Sequence, residues 1–252
     1  AATNPIAAQK GAMPLQPEES VSFTLGAAFS LGDMDVTIDW FNIQVDDRIA
    51  LTQQIELTAA DKTALLAQGI VGVNTVNTVQ FFTNDFDSET SGIDIVANYP
   101  FEWAGGNAHM TFAYNYTDTE LTRLGGIINT ADAIRDREDV VPSDRATFTL
   151  SNDWDRVNGM LRVNYYGEVF ELLWGCCDPV ETDEAVWVVD AELSYKMSDI
   201  YTVTFGAKNL FDIYPPKHQV AGAFGYMGAD YPLNHPAGFG GGTYYMKFSA
   251  DF

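Results

Sequence analysis

The sequence predicts an all-β protein, an antiparallel transmembrane β-barrel segment of about nine strands. Three observations predict it. Apolar and polar residues alternate with a period of two along most of the chain. Most of the alternating runs last about ten residues or more, where strands of soluble proteins average five or six. The connections are alternately short and long without a break, the expected asymmetry between the two sides of an outer-membrane barrel.

Each strand is justified by its own split of residues. In the first, Val21, Phe23, Leu25, Phe29 and Leu31 oppose Ser22, Thr24 and Ser30. In the second, Val36, Ile38 and Trp40 oppose Asp35, Thr37 and Asp39, and in the third Ile93, Ile95 and Tyr99 oppose Asp94 and Asn98. Met110, Phe112, Tyr114 and Tyr116 oppose His109, Thr111, Asn115 and Thr117. Phe148 and Leu150 oppose Arg145, Thr147, Thr149 and Ser151, and then Leu161, Val163, Tyr165 and Val169 oppose Arg162, Asn164, Tyr166 and Glu168. Trp187 to Tyr195, Tyr201 to Ala207 and Tyr244 to Phe252 complete the set, opposed by Asp190, Glu192, Lys208, Lys247 and their neighbours.

The short connections are Gly32–Asp33, Trp103–Asn107, Asp155–Asn158 and Ser198–Asp199; the long ones are 52–77, 123–142, 173–184 and 213–240. Short turns belong on the periplasmic side and long loops outside the cell. That orientation puts the C-terminus in the periplasm, residues 1–19 in an extracellular loop and the strands within 20–252. Nine strands beginning outside cannot close a single-chain barrel, because the open edges would leave backbone groups unpaired in lipid. The expectation is a fragment or one partner of an assembly. Aromatics on the apolar face, including Trp40, Tyr114, Tyr116, Trp154, Trp187 and Tyr201, crowd near strand ends. Girdles at the two membrane interfaces would place them there, and β-propensity supplies part of the same signal. Within the first long loop, residues 58–69 predict a short helix, with Thr58 as N-cap, Asp61 at the capping-box position and Gly69 at the C-terminal end.

Composition narrows the function classes. The chain has 252 residues, 46% of them hydrophobic, and no apolar run long enough for a membrane-spanning helix. A formal charge of -22 argues against nucleic acid as a partner. Two readings of the acidity stand: a solubilising surface, or loop and lumen carboxylates that attract cations. The only cysteines, Cys176 and Cys177, are adjacent and form no disulfide framework. With His218 and His235 in the next loop they are the sole candidates for a soft-metal site, but their spacing fits no zinc pattern, so no metal and no cofactor is predicted. A vicinal disulfide stiffening the loop is the favoured reading of the pair. Asp39, Asp94, His109, Arg145, Arg162, Glu168, Asp190, Glu192 and Lys208 should face the lumen. They read as a solute path, as contacts to a plug, or as a wetted wall. There are no paired carboxylates at catalytic spacing and no phosphate loop, since Gly238–Gly242 leads into a strand. An enzyme is not expected.

Four segments, in order, resemble TonB-dependent outer-membrane receptors, and the resemblance covers nearly the whole chain. They are Leu15–Ile49 with its Asp46–Asp47–Arg48–Ile49 ending, Ser91–Phe101, Val203–Pro216 with Asn209–Leu210–Phe211–Asp212, and Pro236–Phe252. The resemblance implies the C-terminal part of a barrel of about 22 strands, of which these would be the last nine. It implies active uptake of a siderophore, haem, cobalamin or oligosaccharide class of solute across the outer membrane of a Gram-negative cell. The implied partners are TonB, a plug domain that is not part of this sequence, the rest of the barrel, lipopolysaccharide and the barrel-assembly machinery. The last would read Tyr244, Phe248 and the terminal Phe252. Alternatives are a passive porin-like channel and an adhesion or anchoring scaffold. No substrate-binding residue is assigned.

Overall fold

The computed structural model describes residues 4–52, 54–125, 130–172, 180–217, 230–232 and 235–251. A short helix α1 (Pro5–Gln9) precedes the long strands β1 (Glu19–Leu31) and β2 (Met34–Leu51). The first long loop holds β3 (Ile55–Glu56), α2 (Ala59–Ala67), a 3-10 turn at Val71–Thr75 and β4 (Thr78–Val79). Next come β5 (Phe82–Trp103), β6 (Gly106–Leu124), α3 (Ala131–Glu138), β7 (Asp144–Trp154) and β8 (Val157–Tyr166). The small strands β9 (Val169–Leu172) and β10 (Val180–Asp183) pair with each other. The chain ends with β11 (Val186–Lys196), β12 (Tyr201–Lys208) and β13 (Thr243–Ala250).

Nine strands form one antiparallel sheet in the order β1-β2-β5-β6-β7-β8-β11-β12-β13, with every neighbour joined along the chain. The sheet is not closed: β1 and β13 each pair on one side only. The nine predicted strands are the nine observed. At one end, tight turns join them; β5 and β6 meet through Ala104 and Gly105, both at positive φ (51° and 77°), as a two-residue hairpin requires. At the other end lie the long loops.

The register aligns the apolar residues into rows. Leu25, Trp40, Ile93 and Tyr116 are cross-strand neighbours, as are Ile38, Ile95, Tyr114, Ala146 and Tyr165. Their face is bare: Leu25 is 66% exposed, Phe205 55% and Met246 69%. A soluble protein rarely leaves so large an apolar surface open. Among the described residues, three small clusters of buried apolar residues lie at the loop end.

Aromatics bracket this face. Trp40, Tyr114, Tyr116, Tyr165 and Trp187 mark the loop end; Trp103, Trp154, Tyr195, Tyr201 and Phe248 mark the turn end. Beyond the loop-end ring β2, β5 and β6 continue, and there acids appear on the apolar side. Glu19, Asp46, Glu89, Asp118 and Glu120 follow the apolar row on its own side, while Phe41, Ile43 and Val45 turn to the opposite side. The apolar band is therefore limited in height. On β6 it runs from Ala108 to Tyr116, which at about 3.4 Å per residue and a 45° tilt approaches the roughly 25 Å of an outer-membrane barrel.

Alternation misplaces one residue. It assigns Glu168 to the polar face of a strand reaching Val169, but β8 ends at Tyr166. Gly167 donates its N–H to Asp144 O (2.8 Å) and turns the chain away, so Glu168 sits in the loop.

Candidate solute-binding face

The loop end is built from short segments that fold onto one another. Thr58 caps α2 by accepting from the Asp61 N–H (3.2 Å), and Asp61 accepts the Thr58 N–H in return (2.8 Å). Gly69, at φ 84°, releases the chain just after the helix. Leu65 and Val73 are fully buried with Leu57, and Ile6 of α1 packs against them. Lys10 makes an ion pair with Asp61 (2.6 Å), and together with the Thr58 bonds it holds the Asp61 carboxyl well below the usual carboxylate range. The segment before β1 and the β2–β5 loop are thus one ordered shelf.

A second shelf lies over β5 and β6. Ala133 of α3, Phe86 and Phe170 form its core, with Leu121, Ala50 and Ile134 packed around them. Arg135 lies over the Phe170 ring at 4.3 Å, and its Nε donates to Asp139 (3.0 Å). A cavity of about 320 Å³ opens beside this pair. Its lining includes Asp144, Tyr165, Glu168, Phe170 and Thr182, drawn from β7, β8 and the β9–β10 hairpin. Asp144 uses one oxygen to accept the Tyr114 hydroxyl (2.5 Å).

The polar face of the sheet is a wall of side chains bonded across strands. Asn115 donates to Asp94 (2.8 Å), Asn164 to Asp190 (3.1 Å), Tyr245 to Glu192 (2.6 Å) and Arg162 to Thr149 (3.1 Å). A trough of about 410 Å³ lies in it between Asp94, Asn115, Arg145 and Thr147. Arg145 Nε is buried there without a hydrogen-bond partner. Of the residues predicted to share this face, Asp39, Asp94, His109, Arg145, Arg162, Asp190, Glu192 and Lys208 occupy matching register positions. Glu168 instead joins the cavity.

The Asn209–Leu210–Phe211–Asp212 segment forms the corner at which β12 ends. Asn209 adopts φ 51°; its side chain donates to Ile213 O (2.6 Å) and accepts the Ile213 N–H (2.9 Å). Its own N–H donates to Asp190 (2.8 Å). Asp212, at φ 55°, accepts the Gly242 N–H (2.7 Å), while Phe211 is 65% exposed. Tyr244 donates its hydroxyl to Leu210 O (3.0 Å), which fastens β13 to the corner. His235 is buried, with Nδ1 accepting the Ala237 N–H (3.1 Å) and its ring edge-on to Tyr166. Burial pushes its imidazole down from the ordinary value. Among the described residues no cluster of three or more His, Cys, Asp or Glu side chains could hold a metal ion. Cys176, Cys177, His218 and Phe252 lie outside the described residues.

An apolar band between two aromatic rings, a polar opposite face and ordered loops at one end define an outer-membrane type of β-sheet. Residues 2–210 match the family described as TonB dependent receptor-like, beta-barrel. The chain belongs to that family, whose barrels lie in the outer membrane of Gram-negative bacteria. Solved structures agree on the fold. The copper transporter OprC superimposes with a TM-score of 0.62 at 14% identity, over 95% of this chain and 32% of that one. The pyoverdine outer membrane receptor FpvA from Pseudomonas aeruginosa PAO1 gives 0.59 at 13%, over 94% and 30%. The ferric yersiniabactin uptake receptor FyuA from Yersinia pestis gives 0.57 at 15%, over 95% and 31%. The chain spans about a third of the length of these structures. No curated protein matches it in sequence.

Proposed function

We propose that this chain supplies nine strands of a TonB-dependent receptor barrel that imports a scarce nutrient. The loop end faces outward and gathers the solute, the polar face lines the lumen around a plug, and TonB delivers the energy that displaces the plug. Residues 1–19 belong to an extracellular loop and 20–252 to the barrel, with the C-terminus in the periplasm. One observation carries the reading: a sheet of this family, bare to lipid on one face, has its loops folded into ordered shelves, one of them beside a cavity. A passive channel has no need of such shelves. The unpaired sides of β1 and β13 call for the remaining barrel strands as partners.

The solute belongs to the siderophore, haem, cobalamin or oligosaccharide class. The similar structures, a copper transporter, a pyoverdine receptor and a ferric yersiniabactin uptake receptor, lean toward metal-linked cargo. Tyr244 and Phe248, exposed on the apolar face of β13, present with Phe252 the signal read by the barrel-assembly machinery. Uptake of the cargo by cells expressing the receptor should vanish when TonB is deleted. Uptake that persists at the same rate would identify a passive channel instead.

A further inference from the structure

We infer that one row of the polar wall, Asp39–Asp94–Asn115–Arg145, docks a segment of the plug that carries a basic side chain and a carboxylate about 12 Å apart. The inference rests on the plug-and-barrel reading above and specifies the chemistry by which the two parts meet.

The register sets these residues side by side on four neighbouring strands. Asp39 of β2 faces Asp94 of β5, Asp94 faces Asn115 of β6, and Asn115 faces Arg145 of β7. The row is bipolar. At one end two carboxylates stand directly opposite each other, a pairing that repels unless a cation joins it. Asp94 accepts the Asn115 amide (2.8 Å), while Asp39 has no hydrogen-bond or ion-pair partner among the described residues. At the other end Arg145 buries its Nε without an acceptor, beside the trough that Asp94 also lines. Asn115 does not join the two ends, because its nitrogen is given to Asp94 and its oxygen accepts the Thr117 hydroxyl (3.2 Å). Among the described residues no ion pair closes the row. With strands about 4.8 Å apart, Arg145 stands roughly 12 Å from the middle of the acid pair.

The rest of the wall decides between a folded occupant and a small one. Asp190 accepts the Asn164 amide (3.1 Å) and the Asn209 N–H (2.8 Å), and its register partner Arg162 donates to Thr149 (3.1 Å) instead. Glu192 accepts the Tyr245 hydroxyl. The acids of β11 are thus met by neutral groups, and Arg162, Lys208 and Lys247 have no counter-ion among the described residues. Unmatched charge therefore runs from Asp39 on β2 to Lys247 on β13, seven strand spacings apart in the sheet. That is roughly 34 Å along the wall. A small zwitterion satisfies one row; a folded body inside the barrel meets charges spread so widely. Opposite charges at the two ends of the row also fix the rotation of that body, since turning it end for end sets like charge against like.

The test is the conductance of the full receptor in planar bilayers, with its plug in place, as urea is raised. The wild-type pore should stay shut until the plug is dislodged. Arg145→Gln, and Asp39→Asn with Asp94→Asn, should each raise the open fraction at a fixed urea concentration about fivefold or more. Arg145→Lys should stay close to wild type. Molar salt should open the wild type more than the variant that combines all three neutral substitutions. The barrel band that shifts on boiling should be equal in every variant, which separates plug release from barrel damage. An open fraction unchanged in both neutral variants, or raised as much by Arg145→Lys as by Arg145→Gln, would overturn the proposal. So would a weaker solute uptake with unchanged opening, which assigns the row to the solute. TonB-dependent uptake with unchanged opening removes only this inference, whereas a wild-type pore open without urea removes the plug and the active-transport reading with it.

Discussion

Asn209 and His235 show how single side chains set the shape of the loop end. Asn209 holds a left-handed backbone that most residues resist, and its amide closes a ring with both the N–H and the C=O of Ile213. Asn209→Ala should lower receptor stability by roughly 2–3 kcal/mol, read as a lower temperature of unfolding on heated gels; Asn209→Gly should recover the backbone part only. The sequence displayed these four residues as a family signature, but nothing in their spacing revealed a corner. Its bonds run to Asp190, Ile213 and Gly242, and two of those residues are far away in the chain. His235 acts through protonation. Its Nδ1 must lack a proton to accept the Ala237 N–H, and burial disfavours the charged ring. The folded value lies below the ordinary imidazole value of about 6.5. Local order at this segment is therefore complete above that pH and is lost as the pH falls below it. Amide exchange at Ala237 and Gly238, corrected for intrinsic rates, should accelerate between about pH 6.5 and 5; in His235→Gln the added acceleration should disappear.

At the scale of elements, strand pairs are fastened by aromatic side chains lying over glycines. Phe41 of β2 covers Gly92 of β5, and Tyr245 of β13 covers Gly206 of β12 on its way to Glu192 of β11. One side chain thus spans three strands at the end of the sheet. A methyl group at 206 would meet the Tyr245 ring, so Gly206→Ala should cost about 1–3 kcal/mol. Tyr245→Phe, which keeps the ring and loses one hydrogen bond, should cost less, about 1 kcal/mol. Urea unfolding in bilayers would rank the two, and the reverse order would contradict the geometry. The strands themselves were legible because each obeys one period, and so was α2, whose capping residues lie within one short stretch. The cavity was not legible. Arg135, Asp144, Glu168 and Thr182 come from four segments, and alternation had placed Glu168 on a strand that Gly167 had already ended.

For the whole molecule, the two faces of the sheet make opposite demands on a charge. Ala97 and Phe112 lie in the middle of the apolar band, whereas Thr111, one residue from Phe112, lies on the polar wall and donates to Asn98 (2.9 Å). Phe112→Arg should cost about 2–4 kcal/mol in the membrane-inserted protein, because the guanidinium is forced into lipid. Thr111→Arg should cost far less. The measure is the folded fraction in outer membranes, seen as the band that shifts on boiling; equal losses for the two would mean that the faces have been assigned in reverse.

The strand extensions beyond Trp40 and Tyr116 have a consequence for reach. From Thr117 to Leu124, β6 continues past the aromatic ring with acids on the side that faced lipid. At about 3.4 Å per residue and a similar tilt, that length carries the tip of β6 nearly 20 Å beyond the ring. The sheet is a parapet of uneven height: β5 and β6 rise past the band, while β7 begins at Asp144, level with Tyr116.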